Sequence, residues 1–166
     1  MSPRFILDGM LGGLARWLRI CGYEARYVKS ATDEEIIEKA VEEGLTLLTS
    51  DKLLSRKALR AGLEAFLVEG GGDAEKLASV SRRFELNLNP ACSRCPNCGE
   101  FLRSADKEAL SDRIPIRTYD AYEEFWVCDS CGKVYWRGSH WKNILGTVDE
   151  ARRIAGSQPG GSEHDL

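Results

Sequence analysis

The sequence predicts an α/β protein, a parallel sheet flanked by helices, followed by a small metal-stapled ribbon. Three observations predict it. Short apolar runs alternate with amphipathic stretches of helical spacing through the first half of the chain, the βαβ rhythm of a parallel sheet with right-handed crossovers. That rhythm stops around Asn87-Leu88-Asn89-Pro90, which reads as a linker. Beyond it, Cys-x-x-Cys-Gly occurs twice, at Cys95–Gly99 and Cys128–Gly132.

The elements follow in order. Phe5-Ile6-Leu7 is a buried strand that ends at Asp8. Leu11, Leu14, Ala15 and Leu18 then recur at helical spacing, with Arg16 and Arg19 on another face and Gly22 as a stop. Residues 23–28 form a second strand. Thr32 and Glu35 make a capping box, in which hydroxyl and carboxylate each satisfy a free backbone N–H; it opens a helix that closes at Gly44. A third strand over 45–49 enters Ser50 and Asp51, and a basic amphipathic helix covers 52–61. A fourth strand over 63–68, a Gly70-Gly71-Gly72 turn and a helix over 73–84 complete the pattern. A last helix is expected over 147–155, then a mobile tail rich in Gly, Ser and Pro. The expected units are an α/β unit over 1–88, a ribbon over 89–146, and a C-terminal helix with flexible tail over 147–166.

Composition narrows the function classes. The 166 residues are 43% hydrophobic and 30% charged, the balance of a globular protein. A net charge of −3 gives no global basic field, although local Lys/Arg clusters can still meet a nucleic acid. No stretch approaches the ~18 apolar residues of a membrane span. The chain starts on a strand-like run and not on a cleavable apolar segment, so a cytoplasmic protein without a membrane partner is expected.

In a reducing compartment, paired Cys-x-x-Cys motifs read as metal ligands and not as disulfides. Cys95, Cys98, Cys128 and Cys131 supply four thiolates, the tetrahedral soft set that zinc prefers in structural sites. The glycine after each second cysteine permits the tight turn that aims backbone N–H groups at sulfur. Cys92 offers a rival frame with Cys95, but only the 95/98 frame has the trailing glycine and matches the second motif. Cys21 reads as a small buried hydrophobe. Zinc here replaces a core too small to fold alone.

Aromatic and basic residues crowd the second motif: Phe125, Trp126, Tyr135, Trp136, Arg137 and His140, with Trp141 beyond. Such rings either stack on unpaired bases while Lys/Arg meet phosphates, or pack the ribbon against the first unit. Trp126 is assigned to the core; Trp136, Arg137 and His140 are the RNA-contacting candidates. Arg56, Lys57 and Arg60 on the third helix form either an RNA-docking face or a solvated one.

Open parallel sheets place function beyond the carboxyl ends of their strands. Asp8 and Asp51 end the first and third strands, Asp33 opens the helix after the second, and Asp73 opens the helix after the fourth. Converging carboxylates repel unless a cation lies between them, and an all-oxygen set suits Mg²⁺ or Mn²⁺. Such a site suits phosphodiester hydrolysis. For Asp33 and Asp73, helix capping is the competing role. Thr49 and Ser50 could bind a phosphate or fix a carboxylate. A third reading, a phosphoacceptor receiver domain, also puts acids at strand ends but fits poorly: it needs two adjacent acids where Asp8-Gly9-Met10 stands, and a lysine after a fifth strand that is not evident.

The blocks Phe5–Gly12, Leu14–Arg19, Gly22-Tyr23, Asp33–Ile36, Leu47–Asp51, Arg94–Cys98, Cys128–Cys131 and Val134–Trp141 resemble the Mut-seven C-terminal ribonuclease domain family, a PIN-like fold with a zinc ribbon. The resemblance spans about residues 4–145. It implies cleavage of single-stranded RNA by carboxylate-bound Mg²⁺ or Mn²⁺, with Asp8, Asp33 and Asp51 as the metal-site acids. PIN-type sites often carry a fourth acid shortly after the Asp51 position; here Lys52, Leu53 and Leu54 follow, leaving Asp73, Glu34 or nothing in its place. Arg16 and Arg19 also match, as RNA-backbone contacts or partners of the acids. The alternative function is a non-catalytic RNA- or ribosome-binding module.

Overall fold

A computed structural model describes residues 2–156. The expected tail therefore lies, from residue 157, outside the described residues. The first sheet has four parallel strands in the order β2-β1-β3-β4: β1 Arg4–Leu7, β2 Glu24–Tyr27, β3 Thr46–Thr49 and β4 Ala65–Leu67. The crossovers are α1 Gly12–Ile20, α2 Asp33–Glu43 and α3 Lys52–Arg60, and α4 Asp73–Phe84 follows β4.

Alternation along the strands builds two cores. Phe5 and Leu7 of β1 and Leu48 of β3 face a layer made by α1 and α4, where Leu14, Leu18, Leu77 and Val80 are buried. Ile6 and Leu47, one residue out of phase, face Ile36, Ala40, Leu54 and Ala58 of α2 and α3. Both faces being covered explains why these strands are continuous apolar runs and not alternating ones. The capping box at the start of α2 is formed in both directions, with the Thr32 hydroxyl accepting from the Glu35 N–H and the Glu35 carboxylate accepting from the Thr32 N–H.

The ribbon is a three-stranded antiparallel sheet, β5 Leu102–Ala105, β6 Phe125–Cys128 and β7 Val134–Tyr135, in the order β5-β6-β7. A short helix, α5 Ile116–Ala121, lies in the connection between β5 and β6. Phe125, Val127, Leu110 and Ile114 form its core, with Trp136 packed against them. Trp126 corrects its core assignment: it points to the opposite face of β6 from Phe125 and Val127 and is half-buried beneath the Arg137 guanidinium.

The last helix, α6 Trp141–Gly156, begins six residues before the expected Thr147 and returns to the first layer. Val148 and Ala151 are fully buried there beside α4. Among the described residues, no helix is long and apolar enough to cross a membrane.

The ribbon is joined to the sheet body by Arg19. This residue is 7% exposed, its Nε donates to the Ala25 carbonyl at 2.8 Å, and its Nη1 donates to the carbonyls of Pro96 and Asn97, each at 3.2 Å. The expectation that Arg19 shares an outer face with Arg16 and meets RNA is thereby corrected. Arg19 lies one turn after Ala15 on the covered side of α1, and the first knuckle closes over it; Arg16 is exposed.

Arg19→Met leaves these three carbonyls without their donor. We expect a loss of about 1–3 kcal/mol, the penalty for unsatisfied buried polar groups, read by urea unfolding, with faster amide exchange concentrated at residues 95–99.

Candidate functional sites: a four-cysteine centre and a carboxylate rim

The two Cys-x-x-Cys-Gly motifs fold alike. The N–H of Gly99 donates to the Cys95 carbonyl and that of Gly132 to the Cys128 carbonyl, both at 2.8 Å. Each glycine sits in the left-handed region, φ 88° and 79°, where a side chain would be strained. All four sulfurs lie within 4.8 Å of one another, with Cys95–Cys131 at 3.6 Å and Cys98–Cys128 at 3.4 Å. Those separations are far beyond the ~2.05 Å of a disulfide, and near the edge of a tetrahedron with ~2.3 Å metal–sulfur bonds. The donor set fits zinc.

The thiols are electrostatically divided when considered alone. A backbone hydrogen bond from Lys133 holds Cys131 down to about 6, while burial pushes Cys98 up to about 12. A soft divalent cation removes the conflict, since all four become thiolate ligands. The Tyr135 hydroxyl lies 3.0 Å from the Cys95 sulfur, and the Cys131 N–H meets the Cys128 sulfur at 3.5 Å.

Cys92 stays outside the cluster, near Arg137. Cys21 is buried in the sheet core, its thiol pushed up to about 11 by desolvation.

At the carboxyl ends of the strands, Asp8 is 7% exposed. Its Oδ1 accepts from the Met10 N–H at 3.1 Å and its Oδ2 from the Thr49 hydroxyl. The Thr49 oxygen in turn accepts from the Asp51 N–H at 3.0 Å. One threonine thus links the two acids at the ends of the paired strands β1 and β3. Asp51 is also the N-cap of α3: its Oδ1 accepts from the N–H groups of Leu53 at 2.8 Å and Leu54 at 3.3 Å.

Side-chain capping falls to Asp51, whereas Asp33 and Asp73, for which capping was the competing role, lie in the first turns of their helices just after the N-cap positions Thr32 and Gly72. Asp73 accepts from the Trp17 indole N–H at 3.1 Å, tying α4 to α1. Asp33 holds the Lys57 ammonium at 3.0 Å, and Glu34 lies 3.8 Å from the same nitrogen. The Asp33 hydrogen bond raises the Lys57 pKa, and Glu34 and Asp51 add to it through space. Among the described residues, the four cysteines are the one close cluster of three or more metal-type ligands. Asp8 and Asp51 are brought together through Thr49; Asp33 is turned to Lys57.

Of the expected RNA contacts, Arg16, Arg56, Arg60 and His140 are exposed, and Lys57 is held at the rim. Arg137 lies over the rings of Trp126 and Trp141, 5.2 and 5.1 Å from their centroids. Trp136 packs partly on Phe125.

Sequence reading missed the Arg19 clamp and the Lys57–Asp33 pair. The first had a signal in the i, i+4 spacing from Ala15. The second joins residues 24 positions apart and had none.

The chain matches the model of one protein family, the Mut7-C RNAse domain, over residues 3–148. That span takes in the sheet body, the ribbon and the start of α6. The chain belongs to the Mut7-C family. No curated protein and no solved structure matched it. The Mut7-C assignment and the geometry agree on a PIN-like parallel sheet followed by a subdomain suited to structural zinc.

Metal analysis of this Mut7-C domain should find one zinc per chain, and Cys128→Ser should lose it together with protection of the ribbon amides. Cys92→Ser should keep full zinc content; loss of zinc there would favour the 92/95 frame.

Proposed function

We propose that this chain is a metal-dependent ribonuclease that hydrolyses phosphodiester bonds of single-stranded RNA, with the zinc ribbon aiding RNA binding. The observation that carries the reading is the buried Asp8 carboxylate at the end of β1, linked through Thr49 to Asp51 at the end of β3. Among the described residues no cation pairs with either acid. An all-oxygen set of this kind, without a cationic side chain of its own, suits a hard divalent cation. The Lys57 ammonium on Asp33 and Glu34 supports a rim that draws cations.

Asp8, Asp33 and Asp51 would hold Mg²⁺ or Mn²⁺. When bound, that metal supplies an activated water and stabilises the leaving oxygen. Thr49 fixes the Asp8 carboxylate by donating to Oδ2, and so keeps its orientation through turnover. The helix-capping bonds take one Asp51 oxygen and leave Oδ2 outside the cap. Exposed Arg56 and Arg60, on the helix that Asp51 caps, would draw the phosphate backbone toward the rim. Trp136, Arg137 and His140 with Arg16 are the ribbon-side contacts.

The second reading, a non-catalytic RNA- or ribosome-binding module, draws on the Lys57–Asp33 pair and on the capping by Asp51, which give two of the acids structural partners.

The deciding experiment incubates labelled single-stranded RNA with purified protein, with and without Mn²⁺. Asp8→Asn and Asp51→Asn should each lower cleavage by more than about 100-fold, beyond the 10–100-fold typical of groups that merely support a ligand, while thermal melting without added metal is unchanged or higher. Near-normal cleavage by either variant would hand the lead to the binding-module reading. Lys57→Met removes the ammonium that competes for Asp33, so Mn²⁺ affinity measured by calorimetry should rise a few-fold; unchanged affinity would take Asp33 out of the metal site.

A further inference from the structure

Three clefts meet at Arg16. One is lined by Gly12, Tyr27, Asn97, Lys133 and Tyr135, and its Tyr27 hydroxyl donates to the Gly9 carbonyl at 2.8 Å, just past Asp8. The second is a cavity of about 100 Å³ walled by Ile20, Leu102, Tyr135, Trp136, Trp141 and Ile144. The third continues past His140 to Trp17 and Asn143. Tyr135 and Pro96 are shared by the first pair, Ile20, His140 and Ile144 by the second pair, and Arg16 by all three. The three clefts therefore adjoin along the seam between α1 and the ribbon, from the loop after Asp8 to the start of α6.

We propose that the middle cavity is a subsite for one unpaired RNA base, with the adjoining phosphates on Arg16 and Lys133. This rests on the ribonuclease reading and deepens it, since it fixes a point on the strand away from the cleaved bond. The cavity is well below the roughly 300–1,000 Å³ of sites for drug-sized ligands, so it has room for a single flat ring. Its walls are mostly aromatic and aliphatic, the surroundings that accept a base face without reading its edge. Its flanks carry Arg16 and Lys133, whose positive charge complements the phosphates of the strand that would deliver the ring. A duplex cannot enter, because its bases are already stacked; the subsite therefore selects single strands.

The test uses the full zinc-loaded chain carrying Asp8→Asn, without added Mg²⁺ or Mn²⁺, so that cleavage plays no part. A mixed-sequence RNA hexanucleotide and a polyphosphate of equal charge are titrated while the indole N–H resonances of Trp136 and Trp141 are followed. The hexanucleotide should shift both resonances and the polyphosphate neither. Ala91→Leu adds bulk to the cavity wall without removing a group. It should weaken hexanucleotide binding about tenfold with zinc content unchanged, and Arg16→Ala should reduce the salt dependence of binding.

Equal shifts with both probes, no shift with either, or full affinity in Ala91→Leu would overturn the subsite. An aromatic-containing peptide that shifts the resonances where the hexanucleotide does not would assign the cavity to a protein partner instead. Base binding without cleavage by the wild-type chain would sink only the ribonuclease reading, and cleavage without base binding would sink only the subsite.

Discussion

A buried guanidinium stays charged at any ordinary pH and has N–H groups that need acceptors, so the backbone around it must be arranged to suit. Arg19 imposes that condition on helix α1, strand β2 and the first knuckle at once. Burial lowers its pKa, and the nearby Cys98 and Cys95 thiolates act against that fall. Zinc with four thiolates carries a formal charge of +2 − 4 = −2, so a cation beside it is favourable. The same helix packs Leu14 and Leu18 into the sheet core and begins just after Asp8. The ribbon's position over the sheet and the setting of the first carboxylate are therefore controlled by one rigid element.

The carboxylate rim manages its own repulsion by distributing donors. Asp8 takes a backbone N–H and a hydroxyl, Asp51 two backbone N–H groups, Asp33 an ammonium. Each donor lowers the cost of a negative charge without supplying a full neutralising partner to Asp8 or Asp51. The arrangement is a polar socket with directional donors.

Much of this was legible in the sequence because it depends on local periodicity. The apolar runs, the Thr32/Glu35 capping box, the alternation of strands and helices in the first unit and the two glycine-closed cysteine turns are short-range patterns, and each was found where expected. The carboxylates were located by a topological rule, that strand ends form a rim. What escaped was set by contacts between distant segments. Arg19 is enclosed by segments far from it in the chain, Pro96 and Asn97 of the first knuckle, which no local pattern on α1 announces. Trp126 and Phe125 are adjacent, and nothing local decides which points inward; pairing of β6 with β5 and β7 does. The first turn of α6 likewise lies against distant segments, with Trp141 and Ile144 beside Ile20 of α1 and Tyr135 of the ribbon, and no propensity over 141–146 announces it.

The docking of α6 on α4 has a topological consequence. The chain leaves the sheet body at the end of α4 and re-enters it along α6, and these two helices lie side by side. The cysteine-rich segment is thus an insertion with neighbouring entry and exit points, held at both ends like a handle and not trailing from one hinge. Closing such a loop costs only about 0.6 kcal/mol more for each doubling of its length. Its β5–β6 connection can therefore lengthen, shorten or change in sequence while the parent body keeps its shape, so evolution could vary what the handle grips independently of the rim beneath it.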